Sequence, residues 1–330
     1  MRIAVLTDIH GNHSALDAAV SFMEEHTPDM LLLLGDYITD GPYPQRIMDT
    51  LYSLMEQYPT HMIRGNREDY VLHHRAGDGW TYSSSSGSLL YTYNHLTDRD
   101  RDFLRSLPIA KNVYPAVGKP FTICHASPSH TKEWIFGDTH MEKFYLHRIQ
   151  TDFLLCGHTH QTRFATYDSA NILYCPSLGL PQDPTSDARM LYLDWNESEN
   201  RYAITYIPLS YDTEALLADY RDSGFLDATY VWGRCLEKAL RLGDRKDYCM
   251  QCVSLTWKYA GEDHYKPAPG SSQLPEKYWE AAAKKLGIRQ NTPVRKCPQV
   301  CFVCFVPLYH ISALDFSTIF RLLGTIPACS

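Results

Sequence analysis

The chain has 330 residues, with 31 Lys or Arg against 38 Asp or Glu, for a formal net charge of −7. That balance argues against a general nucleic-acid or anionic-membrane binder, both of which favour a basic surface. It leaves a phosphorylated ligand open, because bound divalent cations reverse the field locally. Hydrophobic residues at 44% and charged residues at 21% suit a globular protein long enough to bury a sizeable core.

The opening MRIAVLTDIHGN is too briefly apolar for a signal peptide and lacks a small-residue cleavage site. No run of about 18 apolar residues offers a membrane span. Ten cysteines without a secretory signal read as thiols rather than a disulfide framework. The expectation is a cytoplasmic protein without stable nucleic-acid or membrane partners; its oligomeric state is left open.

In chain order, residues 3–8 read as a buried strand, and 13–26 as a helix with Ala15, Leu16, Ala19, Val20 and Met23 on one face. Residues 30–36 form a second strand, 44–58 a second helix, and 61–66 a third, shorter strand. This alternation predicts right-handed crossovers and a largely parallel sheet. GDGWTYSSSSGS at 77–88 reads as a mobile loop, followed by helices over 88–95 and 98–106. FTICH at 121–125 and DFLLCGH at 152–158 are further strands. RFATYD, NILYC, RMLYLDW and RYAITYI are spaced like hairpins, which predicts a second, more antiparallel sheet ending near residue 210. The pattern is helical over 211–290, and 291–330 is a Cys-rich tail with one acidic residue, Asp315, whose composition suits a disordered extension.

Potential ligands gather where strands end. The first strand delivers Asp8 and His10, the second Asp36, the third Asn66; FTICH ends in His125, and LLCGHTH supplies His158 and His160. Residues two apart in an extended chain face the same way, and the ends of parallel strands share one edge of a sheet, where ligands bind. Imidazole, carboxylate and amide donors without thiolate suit Mn, Fe, Zn, Co or Ni. Seven donors are too many for one catalytic ion with an open position. They suffice for two ions about 3.5–4 Å apart if a carboxylate bridges. The glycines preceding Asp36, Asn66 and His158 allow the tight turns that bring donors close.

DIH, GDYITD, GNRE, the lone histidine of ICHAS and GHTH, in that order, resemble the signature of the calcineurin-like metallophosphoesterases over roughly residues 1–210. DIHGNHSAL and YCPSLGLPQD look closest to its small bacterial phosphodiesterase-like branch. The resemblance implies a two-sheet α/β/β/α sandwich, here with a C-terminal helical extension. It also implies one ion on Asp8, His10, Asp36 and His160 and another on Asp36, Asn66, His125 and His158, with Asp36 as the bridge. Asp36, Asn66, Arg67 and His125 are then the candidate catalytic residues, and two divalent ions, Mn2+ foremost, the cofactors. Coordination makes water a nucleophile near neutral pH, so the expected reaction is direct attack of a metal-bridging hydroxide on phosphorus, without a covalent enzyme intermediate.

Two departures from the pattern bear on substrate. Protein serine/threonine phosphatases of this family continue the second motif with an acid–arginine pair, where this chain has Thr39 and Asp40. Their third motif is GNHE, where this chain places Arg67 in the histidine's position. Arginine cannot serve as a general acid near neutral pH but clamps phosphate oxygens well. The expected substrate is therefore a small phosphodiester, nucleotide or activated aryl phosphate. The competing readings are a protein-phosphatase-like enzyme and a catalytically silent metal- or nucleotide-binding protein.

Secondary candidates have structural readings beside them. Asn12 is a second substrate contact or a helix cap, with His13 at the same helix start, and Glu68 and Asp69 favour a helix dipole. Trp134, Phe136 and Tyr145 wall an aryl pocket or pack a core, and Ser177 lies near the site or in a turn. CMQC at 249–252 and CFVC at 301–304, with Cys297 and His310, offer a weaker zinc reading.

Overall fold

The alternation of side chains along RIAVL sets the layering. In a computed structural model, which describes residues 1–182, 187–243, 248–267 and 273–288, this run is β1 (Arg2–Leu6). It pairs in parallel with β2 (Met30–Leu33), which pairs in parallel with β3 (Thr60–Met62). Helices α1 (His13–Glu25) and α2 (Pro44–Gln57) make the crossovers. Ala4 and Leu6 face these helices and pack with Leu16, Met23, Ile47 and Leu51, while Ile3 and Val5 face the opposite way. Each buried Leu or Ile removed from water contributes roughly 1.5–3 kcal/mol, so both faces of β1 must be covered.

After α3 (Asn66–Leu72), α4 (Gly87–His95) and α5 (Asp98–Ser106), the chain builds a second sheet. Its strands are β4 (Ala110–Val113), β5 (Phe121–Cys124), β6 (Phe153–Cys156), β7 (Arg163–Tyr167) and β8 (Ala170–Tyr174), in the order β4-β5-β6-β8-β7. β5, β6 and β8 are parallel, with antiparallel β4 and β7 at the edges. Phe121, Ile123, Phe153 and Leu155 meet Ile3, Val5, Leu32 and Leu34 between the sheets. On the outer face, Leu154, Cys156 and Tyr174 pack under α6 (Thr139–Leu146) through Tyr145 and Leu146. The result is the expected α/β/β/α sandwich.

Its topology corrects one expectation. The four late strands do not all join one second sheet: β9 (Ala188–Asn196) returns to pair antiparallel with β1, and β10 (Arg201–Leu209) pairs with β9. That return buries the otherwise open edge of β1, and no local sequence pattern announces a partner so distant.

Four helices follow: α7 (Thr213–Asp222), α8 (Phe225–Leu242), α9 (Tyr248–Glu262) and α10 (Glu276–Lys285). They share a core including Leu216, Tyr220, Phe225, Leu236 and Trp279, to which α4 contributes Tyr91. The stretch expected to be a mobile loop is tied to this unit. Ser84 and Ser86 are buried, and Ser84 donates from its backbone nitrogen and hydroxyl to Glu276 at 2.7 and 2.6 Å. The Cys-rich tail, with Cys297, Cys301, Cys304 and His310, lies outside the described residues. Among the described residues no helix is long and apolar enough to cross a membrane.

The seam between α4 and α8 is tight at Gly87, where an added Cβ would stand 2.0 Å from the carbonyl oxygen of Ala228. Overpacking of this kind costs about 1–3 kcal/mol. Gly87→Val should therefore lower the urea midpoint of the whole chain by a corresponding amount. An unchanged midpoint would mean that the seam does not contribute to stability.

Candidate metal centre

The donors leave their strands through abrupt turns. β1 ends at Leu6 and β6 at Cys156, so Asp8, His10, His158 and His160 lie beyond extended backbone. Strand alternation, the expected reason for their convergence, does not operate. Asp8, His10, Asp36, His158 and His160 instead adopt φ of 53°, 47°, 53°, 69° and 55°, a left-handed region that non-glycine residues seldom occupy. Each such residue costs on the order of 1 kcal/mol or more and persists only where its surroundings hold it. Here the Asp8 and His10 amides donate to the carbonyls of Gly35 and Asp36, both at 3.0 Å, binding the two turns together.

The turns bring five of the seven predicted ligands into two overlapping donor groups at the junction of the sheets, with Asn66 and His158 beside His125. Asp8, His10 and His160 form one group, and Asp8, Asp36 and His125 another, with the donor atoms of each group within 4.8 Å of one another. Asp8 Oδ1 lies 3.3 Å from His160 Nε2 and 3.9 Å from His125 Nε2. Asp36 Oδ2 lies 3.3 Å from His125 Nε2 and 3.7 Å from His10 Nε2. Both carboxylates thus reach both sides of the pocket. Asn66 Oδ1 is 3.1 Å from His125 Nε2, and the His158 ring stands 5.1 Å from that of His125. The two histidines of GHTH accordingly stand on opposite sides of the pocket.

Ring orientation gives a direct test of whether cations fit. The Nδ1 atoms of His10, His125 and His160 face Asp40 Oδ2, the Leu34 carbonyl and the Leu180 carbonyl at 3.2, 2.8 and 2.6 Å. Those partners only accept, so each neutral ring carries its proton on Nδ1 and turns a lone pair inward at Nε2. His10 Nε2 and His160 Nε2 then face each other at 3.1 Å, which is repulsive unless a proton or a cation stands between them. Metal–ligand bonds of about 2.1 Å separate neighbouring donors by roughly 3.0–3.4 Å, and the closest donor pairs here fall in that interval. The residues fit divalent ions.

Other side chains brace the donors. Glu68, fully buried, accepts from the backbone nitrogens of Asp36, Tyr37 and Gly65 at 2.8, 2.9 and 2.8 Å. It ties the turn that carries Asp36 to the turn that carries Asn66. The Arg67 amide donates to Asp36 Oδ1 at 2.8 Å. Ser177, read from sequence as a turn serine or a neighbour of the site, donates to the Asp8 carbonyl at 2.9 Å and so does both. Glycine is required at two approaches: a Cβ on Gly65 would meet Asp36 Oδ1 at 2.2 Å, and one on Gly157 would meet Asp8 Oδ2 at 2.7 Å.

The charges follow from this packing. Burial opposes protonation of His125, yet Asp36 and Asp8 overcome it and push the ring up to about 10. His10 rises against burial to about 9 through Asp40, Asp8 and Asp36. Burial would raise Asp8 and Asp36, but the facing histidines hold Asp8 well below the usual carboxylate range and Asp36 at about 2. His158 is lowered to about 4 by burial and by His125, and so presents a neutral, ligand-ready ring.

Two residues carry more than the sequence reading gave them. Glu68 was read only for its helix dipole; its position inside GNRE was the available signal. Asp40 entered only as the occupant of an arginine's place, yet it contacts both His10 and Arg67. Asn12 goes the other way. Its amide oxygen accepts from Ala15 N at 3.0 Å as the cap of α1 and its amide nitrogen donates to Gly179 O at 3.1 Å, so of its two readings the hydrogen bonds show the helix cap. His13 reaches Asp219 of α7 at 3.0 Å. Of the three aromatics, Trp134 is 46% exposed and stands 6.0 Å, ring to ring, from His158; Phe136 packs on Tyr174, and Tyr145 is buried with its hydroxyl on Glu133. Cys249 and Cys252 lie buried in α9 and, among the described residues, join neither donor group.

Comparison with known proteins agrees with this fold. Residues 1–162 match the family model of the calcineurin-like phosphoesterases. An uncharacterized protein of Methanocaldococcus jannaschii is 28% identical over 177 residues, covering 52% of this chain and 67% of its own. Two crystal structures share the fold, each at 20% identity. A hypothetical protein from Pyrococcus horikoshii has a TM-score of 0.61 and covers 72% of this chain and 97% of its own. A metallophosphoesterase from Sphaerobacter thermophilus has a TM-score of 0.55 and covers 68% of this chain and 95% of its own.

The raised histidines give a signed pH dependence. A group raised on folding stabilises fully below its unfolded value, here 6.5, and loses that contribution as pH climbs through its folded value. The metal-stripped protein should lose stability between about pH 6.5 and 10, followed as the thermal midpoint. At pH 8, Mn2+ uptake should release protons from His10 and His125, seen as a calorimetric heat that changes with the ionisation enthalpy of the buffer. A heat independent of buffer would contradict this.

Proposed function

We propose, on the premise that residues 1–162 match the calcineurin-like phosphoesterase family, that the chain is a two-metal hydrolase of small phosphoesters. The observation that carries this reading is the meeting of the groups Asp8–His10–His160 and Asp8–Asp36–His125 in one pocket. One ion would rest on Asp8, His10, Asp36 and His160, the other on Asp36, Asn66, His125 and His158. The nitrogen and oxygen donor set suits Mn2+, with Fe, Zn, Ni or Co as alternatives. When bound, such ions supply Lewis-acid charge and lower the pKa of a water they hold toward about 7.

The chain's own contribution is to bind and orient the phosphoryl group. Arg67 is fixed by Asp40 at 2.7 Å, and its guanidinium lies 5.8 Å from the centre of the Trp232 ring. Burial would favour its neutral form, but Asp40 and Asp36 keep it charged. In this role it neutralises phosphoryl oxygens and donates no proton to a leaving group. His158 is neutral near pH 7 because burial and His125 lower it to about 4. With neither group supplying a proton, the site favours leaving groups that depart as stable anions, as the phenolate of an activated aryl diester does. The half-exposed Trp134 beside His158 offers such a group a flat apolar surface.

The full chain loaded with Mn2+ should turn over bis(4-nitrophenyl) phosphate, and Asp36→Asn should lower kcat by more than about 100-fold. Absence of turnover with Mn2+, Fe2+, Zn2+, Ni2+ and Co2+ alike would favour a silent binding protein instead. Within the same assay, Arg67→Ala should raise KM by about 10- to 100-fold, the loss of a charge-assisted hydrogen bond. Arg67→His should improve hydrolysis of esters with poor leaving groups relative to good ones. If the ratio stays fixed, the leaving-group account is wrong.

A further inference from the structure

The C-terminal helices reach the centre through one carboxylate. Asp40 is fully buried, with φ of 63°, and its two oxygens divide their partners between the centre and the surrounding helices. Oδ2 receives His10 Nδ1 at 3.2 Å and Arg67 at 2.7 Å. Oδ1 receives Trp232 Nε1 of α8 at 2.8 Å and the Ser88 hydroxyl of α4 at 2.7 Å. The Asp40 backbone is held as well, its nitrogen donating to Ser88 Oγ at 2.9 Å and its carbonyl accepting from the Tyr220 hydroxyl of α7.

The path of α8 is bent to make this contact. Tyr230 breaks the helix with φ 50° and ψ −121°, one residue before Val231 donates its amide to Ser84 Oγ at 2.9 Å and two before Trp232. Positive φ at a bulky aromatic is a true outlier. Such strain is found where the surroundings demand a particular placement. Here the break delivers an indole N–H to a carboxylate 192 residues away in sequence.

We propose that Asp40 is a positioning residue through which the C-terminal helical unit sets both the metal-facing ring of His10 and the phosphate-facing Arg67. This inference rests on the reading that His10 holds an ion. A carboxylate behind a metal-ligating histidine fixes the ring's tautomer and direction, and losing it weakens metal binding by about 10- to 100-fold. Trp232 and Ser88 in turn fix the carboxylate, whose rotation would release His10 and Arg67 together. The helical unit is thereby a working part of the centre rather than a separate docking module.

The test is calorimetric titration of Mn2+ alone into the metal-free full chain, with the thermal midpoint measured beside it. Asp40→Asn should weaken Mn2+ binding by about 10- to 100-fold. Trp232→Phe, which keeps the ring and removes only the indole N–H, should weaken it in the same direction by a smaller factor. In the ester assay both variants should raise KM through Arg67 in addition to any loss in kcat. A Trp232→Phe protein that melts at a lower temperature but binds Mn2+ as tightly as the parent would overturn the proposal, since a purely structural role predicts that pattern. Because the primary readout is metal affinity, a chain that shows these shifts yet hydrolyses no ester would sink the hydrolase reading and leave this one standing.

Discussion

Two buried carboxylates, Asp8 and Asp36, share one pocket, and the rest of the centre answers their charge. Taking a carboxylate out of water costs several kcal/mol even after relaxation, and two together repel. The histidines meet part of that cost by holding protons, as the upward shifts of His10 and His125 record. Between His10 and His160, whose Nε2 atoms stand 3.1 Å apart, either a shared proton or a divalent cation removes the repulsion. The donor set of the pocket fits divalent ions.

The architecture follows from that demand. No single sheet edge supplies enough donors, so the site lies where two sheets meet: Asp8, His10, Asp36 and Asn66 follow strands of one, and His125, His158 and His160 follow strands of the other. The apolar layer between the sheets fixes their relative position. Backbone strain then aims the donors, and Glu68, Ser177 and Gly157 keep the strained turns in place. The helical unit closes the arrangement from outside through Asp40. A stable scaffold holds an otherwise unfavourable cluster of charge and left-handed backbone.

Much of this was legible in the residues, and the gaps have physical causes. Apolar runs with helical stretches between them located β1, β2, β5 and β6 well, because buried parallel strands are nearly continuous in Val, Ile and Leu. The donor set was legible because short motifs at strand ends carry their residue types openly. The reason for convergence was not: alternation was expected to aim His158 and His160, while the chain uses positive φ, which only Gly157 hinted at. The return of β9 to β1 depends on contacts nearly two hundred residues apart, beyond any local pattern. The Gly/Ser stretch looked like a loose loop because its partners, Glu276 and Val231, lie far along the chain. Asp40 was visible as a departure from a family motif, but its function as a hub depends on Trp232, which nothing in the early sequence announces.

The most direct measurement is anomalous diffraction at the manganese edge from crystals grown with Mn2+. The account predicts two anomalous peaks, about 3.5–4 Å apart, flanked by Asp8 and Asp36, with His10 and His160 on one side and His125 and His158 on the other. A pocket without an anomalous peak, or peaks confined to surface carboxylates, would contradict it.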